Sequence, residues 1–425
     1  MVPVEQRGVR PARLLVVALA SLGLLARLAP GLMMSPAQAA RLPHAAPYLH
    51  LARSLAEGKG FVLTERPDDA ATGRTYAARR MPAYPLLISA AKTVTGAPTP
   101  ATLVVQALAG TATMALAAWM AYRLAGRWAA VAAAALLAFD PYQVILAALF
   151  TPVTLTGLAL TACAAGGVAQ VSAVRAGRRA WPWAALGGLA LAAAAYLQVW
   201  TLALAPVALA AAAVSRHRRR LLAGWAVGAA VVAAALAPWL VRNADRLGVP
   251  VLSTDVGRRL WAGTGLRPGA AGLRPAEAEP GAETAAPPDG LDETGEGVFD
   301  VKEAAGRIAS APGRWFGRAI HRAGRFWSPA PPEGLEAGPP GPAAGYTSLL
   351  PTCLLAAAGV ALLRRRGETW WLLLAPAAAT AAHLVLAEWA GDRAAVMPPL
   401  AALGGSGLAT LLGRRGTDDG AREEA

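Results

Sequence analysis

Long apolar runs recur along the chain, separated by short connectors that carry arginines on every second crossing. The runs are Leu14 to Met34, Leu103 to Leu124, Trp128 to Phe139, Val144 to Val171, Trp183 to Trp200, Leu202 to Val214, Leu221 to Val241, Leu349 to Leu363, Trp370 to Leu386 and Ala394 to Leu412. Several approach the ~20 apolar residues that an α-helix needs to cross a bilayer. Arginines sit in the segments 1–13, 123–127, 175–179, 215–220, 364–366 and 414–415, which fall on one side if each run crosses once. Basic connectors stay on the cytoplasmic side. The pattern therefore predicts an all-α polytopic membrane protein of about ten transmembrane helices, in the inner (plasma) membrane, with both termini cytoplasmic.

Composition agrees. Apolar residues make up 55% of the chain, charged residues only 16%, and mean hydropathy is +0.40, outside the range of soluble globular domains. The net charge of +14 would suit nucleic acid if it formed a continuous basic face. Here the arginines are dispersed among membrane connectors, and the reading is no nucleic acid. The two cysteines, Cys163 and Cys353, both lie in apolar runs, so neither a disulfide framework nor a CxxC metal site is expected. His44 and His50 are six residues apart, the wrong spacing for a zinc-binding HExxH helix. Ala37-Gln38-Ala39 resembles a cleavage site, but apolar character continues to Met34, and the first helix reads as retained, with Arg27 snorkelling near its outer end.

The alternation gathers the polar stretches on the outer face. Residues 1–243 read as an N-terminal membrane module whose large first outer loop, 35–100, holds two amphipathic pieces, Tyr48 to Ala56 and Ala83 to Thr95, lying along the surface. Residues 244–345 read as an extracytoplasmic segment before the last three helices. Within it, Leu266 to Gly297 is Pro-, Gly- and acid-rich and reads as a flexible loop without chemistry. Arg307 to Trp327 follows with arginines at helical spacing, an interfacial helix suited to anionic headgroups. Residues 346–412 form a C-terminal three-helix module, and 413–425 a cytoplasmic tail.

The most informative outer stretch is Pro238-Trp239-Leu240-Val241-Arg242-Asn243. It reads as the point where an apolar helix ends, with Trp239 in the headgroup layer and Arg242 within reach of phosphates. Asn243 is the only asparagine in the chain, in a composition that also holds few lysines. Helix capping and a functional role both remain open for it.

Four pieces then occur in order: Tyr48-x-x-x-Ala52-x-x-Leu55-x-x-Gly58-x-Gly60-Phe61; Arg80-Met81-Pro82-Ala83-Tyr84-Pro85; the Trp239 to Asn243 motif with Ser253-Thr254 and Gly257 to Gly265; and Asp392-Arg393 leading to Pro398-Pro399. Together they resemble the GT-C membrane glycosyltransferases, in the family 39, protein-mannosyltransferase-like branch. The resemblance implies transfer of a sugar from a polyprenyl-phosphate-linked donor to an acceptor lipid, glycan or protein at the outer face, in contact with membrane lipids. Such a reaction needs a base for the acceptor hydroxyl and fixed positive charge, or a divalent metal, for the departing phosphate. Tyr48, Arg80, Tyr84, Arg242, Asn243 and Arg393 are the substrate-binding positions this implies. No metal position is marked by the sequence.

The chain departs from the family at its acids. Where relatives carry an acid four residues before Tyr48, this chain has His44; Thr151-Pro152 replaces Thr-Glu, and Gln198-Val199-Trp200 replaces an arginine-proline pair. His44 is basic enough to act as a base, and Asp68 and Asp69 are the acids placed with it as catalytic candidates. Asp140, Glu388 and Asp392 lie on the same face. The altered acids keep a second reading open, a catalytically silent relative that binds lipid-linked sugar or partners in envelope assembly. The orientation has a direct check: in intact cells, an impermeant maleimide should label a cysteine placed in 266–297 and leave His217→Cys unlabelled, and the reverse pattern would invert the topology.

Overall fold

The computed structural model describes residues 4–33, 45–64, 75–264, 290–332 and 343–413, with side chains from Pro11 onward. His44, Asp68 and Asp69 lie outside the described residues. In chain order the helices are α1 (Val4–Met33), α2 (Ala45–Ala56), α3 (Ala83–Thr95), α4 (Pro98–Ala125), α5 (Arg127–Ala138), α6 (Pro141–Leu146), α7 (Val153–Arg175), α8 (Trp181–Leu197), α9 (Leu204–Val214), α10 (Arg218–Leu247), α11 (Asp255–Ala262), α12 (Glu293–Ser310), α13 (Pro312–Phe326), α14 (Ala343–Leu363), α15 (Gly367–Leu372), α16 (Leu374–Val385) and α17 (Met397–Leu411). Short 3₁₀ turns at Val199–Ala203 and Ala390–Val396 precede α9 and α17. Among the described residues the only β pairing is the bridge between Leu63 and Tyr76.

Among the described residues, six helices are long and apolar enough to cross a membrane: Pro11–Gly31, Pro98–Ala125, Val153–Arg175, Arg218–Leu247, Ala343–Leu363 and Ala390–Leu411. Arg127–Ala138, Trp181–Leu197 and Val199–Val214 are shorter apolar helices. The fold is thus the all-α membrane architecture expected. In lipid, where apolar burial gives no preference for helix–helix over helix–lipid contact, small residues let backbones approach and gain dispersion. α14 and α17 meet this way: a Cβ added at Gly407 would lie 2.5 Å from Leu355 O and 2.6 Å from Gly359 N. α8 and α10 repeat the device, a Cβ at Gly188 falling 2.5 Å from Gly228 O. Around α17 the core is built from alanine, leucine and methionine of α4, α5, α7, α14 and α17. α1 and α10 are the exceptions, each with only 17% of its apolar window buried.

Several expectations are corrected. Arg27 does not snorkel: it is 1% exposed, and its guanidinium donates to Gly23 O at 2.9 Å and Leu137 O at 3.0 Å. Those carbonyls lie near helix ends or in the same helix, and a buried guanidinium is tolerable only when so paired. Val144 to Val171 is not one helix; the chain breaks between α6 and α7, and Gln106 of α4 bridges the break by donating to Ala147 O (2.8 Å) and Leu149 O (2.9 Å). α10 does not stop at Pro238 but runs on to Leu247. The basic stretch Arg307 to Trp327 is two helices parted at Ala311. Residues 291–297, read as loop, open α12, capped by Asp292 Oδ1 accepting from Gly295 N at 2.6 Å.

Arg27→Leu orphans the Leu137 carbonyl and loosens α1 from α5. A loss of about 1–3 kcal/mol should appear as a lower unfolding midpoint in detergent, while Arg13→Leu, on the same helix, should leave the midpoint unchanged.

Candidate functional site

Trp239, Arg242 and Asn243 stand at i, i+3 and i+4 of α10, the spacing that aligns side chains on one helix face. Each meets a backbone carbonyl. Trp239 Nε1 donates to Leu252 O at 2.8 Å, Asn243 Nδ2 to Val251 O at 2.6 Å, and Arg242 Nη1 to Ala77 O at 2.6 Å. Arg242 also donates to Asn243 Oδ1 at 2.7 Å and lies over the Trp239 ring at 4.7 Å. Trp239 therefore belongs to a buried aromatic contact with Phe61 (5.3 Å) rather than to the headgroup layer. Asn243, fully buried, pins the chain as it doubles back after Gly248, whose φ of 76° is open to glycine at little cost.

The doubled-back segment meets the first outer loop. Ala77 N and Ala78 N both donate to the Glu293 carboxylate, the second at 2.9 Å, and Thr254 Oγ1 donates to the same group at 2.6 Å. Thr254 N donates to Ala78 O at 3.1 Å and Ser253 Oγ to Arg79 O at 3.3 Å. Arg79 pairs with Glu296 at 3.3 Å and its guanidinium lies 3.6 Å from the Tyr76 ring centre. Residues 77–79 are thus held through their backbone by α10, the 253–254 turn and α12. Sequence reasoning missed Glu293 and Glu296, because a Pro/Gly-rich neighbourhood hid an Asp292-capped helix start.

Next to this clasp, Asp255 collects arginines. Its carboxylate accepts from Arg258 Nε at 2.7 Å and Arg259 Nε at 2.6 Å, and Arg80 lies 3.4 Å away. Burial alone would raise its pKa, but Arg258, Arg259, Arg80 and Arg79 overcome that and hold it well below the usual carboxylate range. Arg259 continues to the buried Glu388, tying α11 to the turn after α16. Arg80 also lies 5.9 Å from the ring of Tyr48, which packs edge-on against Tyr84 at 5.1 Å. Tyr84 hydroxyl donates to Gln106 Oε1 at 2.6 Å, so it braces α3 on α4.

Arg393 stands on the far side. It donates to Ser328 O and, at 3.0 Å, to Ala330 O, with its guanidinium 5.1 Å from the Tyr142 ring centre. Its neighbour Asp392 accepts from Gln198 Nε2 at 2.8 Å. The Gln198 Oε1 is buried without a partner. The Tyr48 phenol is subject to the fields of Asp392 and Asp255 as well as of Arg80 and Arg259. Burial raises that phenol above its ordinary pKa, against the lowering by Arg80 and Arg259. Asp140 caps α6 by accepting from Tyr142 N (2.9 Å) and Gln143 N (3.3 Å). Among the described residues no three His, Cys, Asp or Glu side chains converge as metal ligands.

Along one face of α10 an open hollow of about 590 Å³ is bordered by Ala234, Ala237, Pro238 and Val241, and at one end by Arg242, Asp245 and Arg246. Its apolar stretch thus ends in two guanidiniums with a carboxylate between them.

No family model matches the chain, and no curated protein matches its sequence. Solved structures do. The archaeal oligosaccharyltransferase AglB from Archaeoglobus fulgidus, in complex with an inhibitory peptide and a dolichol-phosphate, superposes with a TM-score of 0.58 over 95% of this chain and 50% of its own, at 14% identity. The Archaeoglobus fulgidus oligosaccharyltransferase complex with zinc and sulfate gives 0.56 over 94% and 50%, also at 14% identity. ArnT from Cupriavidus metallidurans, bound to undecaprenyl phosphate, aligns more loosely, at 0.44 over 93% and 77% with 15% identity. The chain spans about half the length of the oligosaccharyltransferases it matches. Its fold is the GT-C fold of these oligosaccharyltransferases, as the motif order implied.

The Asp255 cluster carries a pH signature. A carboxylate with a depressed folded-state pKa contributes stability that is complete above the unfolded value near ~3.9 and is lost as pH falls through the folded value. Asp255→Asn should therefore cost about 3 kcal/mol or more at pH 7, because it leaves buried guanidiniums without their counter-charge. The gap from the unaltered protein should stay constant down to about pH 5 and shrink only in stronger acid, as read by unfolding midpoints across pH.

Proposed function

We propose that this protein is an integral membrane glycosyltransferase that takes a sugar from a polyprenyl-phosphate donor and transfers it to an acceptor at the outer face of the membrane. The observation that carries the reading is the open α10 hollow, apolar along Ala234, Ala237 and Val241 and ending at Arg242, Asp245 and Arg246 with one net positive charge, on a GT-C fold. An isoprenoid tail would lie along Ala234, Ala237 and Val241, with its phosphate at the two guanidiniums. Planar guanidinium pairs with phosphate oxygens in a two-point fork, and the charge it supplies is fixed before the phosphate departs. Arg242 is already anchored through Ala77 O and Asn243, so it is pre-positioned and little side-chain entropy remains to be lost on binding.

The base for the acceptor hydroxyl is assigned to the side of the cleft opposite the groove. His44, Asp68 and Asp69 are the candidates brought by the sequence. Asp392 joins them, being a described outer acid whose hydrogen bond is to a neutral amide, Gln198. Ionised Asp392 would accept the hydroxyl proton as the acceptor oxygen attacks the anomeric carbon and the bond to the phosphate oxygen breaks.

A specific observation also favours the silent reading. Asp140 is a helix cap, Asp255 is caged by arginines, Glu293 binds backbone and Glu388 pairs with Arg259. Each has a structural occupation that a catalytic base would have to leave. In that case the groove binds the lipid-linked donor without turnover.

The test uses the full chain in nanodiscs with polyprenyl-phosphate sugars, measuring release of carrier phosphate and donor binding separately. An enzyme releases phosphate, and Asp392→Asn or His44→Ala abolishes release while binding persists. Arg246 is exposed at the groove mouth, so Arg246→Ala should weaken binding about fivefold, on the order of 1 kcal/mol, without disturbing the fold. Binding with no release across metal conditions would establish the silent reading, and absence of binding would overturn both.

A further inference from the structure

Asp392 differs from the other acids of the site in what it meets. Asp140 accepts from two backbone N–H groups, Glu293 from two more and a hydroxyl, and Asp255 from guanidiniums. Asp392, 1% exposed, accepts from a neutral amide, Gln198 Nε2 reaching its Oδ1 at 2.8 Å. Gln198 stands where α8 ends, extended at φ −149° and ψ 118°, and its backbone is fixed. Its N–H donates to Ala194 O at 2.8 Å, and its carbonyl accepts from Thr201 N at 3.2 Å and Thr201 Oγ1 at 2.8 Å.

The other half of the amide, Gln198 Oε1, is buried without a hydrogen-bond partner. A buried acceptor left unpaired carries the full cost of its lost hydration. The bond to Asp392 is therefore what sets which end of the amide faces the acid. The terminal torsion of glutamine is broad and two-fold, and turning the amide over exchanges a donor for an acceptor in the same space. That exchange matches what a base requires. As a carboxylate it only accepts, and as a carboxylic acid it also donates. A lysine or arginine in place of Gln198 would suit the first form alone.

We propose that Gln198 is a positioning residue that holds Asp392 in both protonation states, donating through Nε2 to the carboxylate and, once the amide has turned over, accepting through Oε1 from the carboxylic acid. The inference rests on the reading of Asp392 as the base. In the transfer step the acceptor oxygen bonds to the anomeric carbon, and the bond to the phosphate oxygen breaks with its electron pair staying on the phosphate. The hydroxyl proton ends on Asp392, bonded to Gln198 Oε1, and returns to water after the product leaves. The charged neighbours are engaged elsewhere. Arg259, whose charge acts on Asp392, pairs with Asp255 and Glu388. Arg393 donates to Ser328 O and Ala330 O, and His383 Nδ1 to Ala379 O at 2.7 Å. Tyr48 is the phenol in the field of Asp392.

The experiment takes two readouts from the full chain in nanodiscs. Acid-minus-neutral infrared difference spectra need no turnover. The carboxylic-acid C=O band that Asp392→Asn removes should move to higher frequency in Gln198→Leu, because the acid has lost its acceptor. The second readout is release of carrier phosphate from polyprenyl-phosphate sugars. Gln198→Leu and Gln198→Lys should each lower kcat by about tenfold or more, with donor Kd unchanged within about twofold, although lysine still donates to the carboxylate. Full kcat in Gln198→Lys, or an Asp392 band at the same frequency in Gln198→Leu, would overturn the exchange and leave Gln198 an anchor of the ionised form only. Phosphate release unaffected by Asp392→Asn would instead remove the base reading itself, and the inference with it.

Discussion

The packing around the 239–243 motif depends on a short bent segment, residues 77–79, that forms no strand with any neighbour and yet has five of its backbone groups paired. Glu293 takes two of its N–H groups, Arg242 and Thr254 two of its carbonyls, and Ser253 a third. A buried peptide left unpaired costs about as much as a lost hydrogen bond, so these partners decide where the first outer loop can sit. They come from three separated parts of the chain. Because Arg242 and Glu293 carry opposite charge at neighbouring backbone positions, the clasp neutralises itself while placing one guanidinium at the mouth of the α10 groove.

The arginines acquire different meanings through their partners. Arg27 and Arg322 bind carbonyls near helix ends and act as bolts. Arg80, Arg258 and Arg259 surround Asp255, and through Glu388 they tie the first loop to the turn before α17. Arg393 is held by Ser328 O and Ala330 O beside Asp392. Guanidinium suits all of these roles because its donors fan out in a plane and it stays charged when partly buried. Arg242 is held in the same way, donating to Ala77 O and Asn243 Oδ1.

The sequence carried the membrane architecture because helix-forming apolar runs and arginine connectors are local properties, readable one segment at a time. It carried the 239, 242 and 243 triplet as well, since i, i+3 and i+4 spacing is a statement about one helix face. It did not carry what that face touches. Trp239 was expected at headgroups and is instead bonded to Leu252 O, and Pro238 looked like a helix end although the helix continues for nine residues.

What the sequence by itself determined is the all-α membrane fold and the guanidinium-rich character of the stretches between the apolar helices. Tertiary structure alone decided which carbonyl or carboxylate each buried arginine meets, and which acids are already engaged. It also made Glu293, in a stretch that reads as featureless loop, the anchor of the clasp. The physical reason is range: hydropathy and helical period act within a few residues, whereas the partner of a buried charge can lie more than two hundred residues away, as Glu293 does from Ala77 and Ala78, and is fixed only when the helices pack.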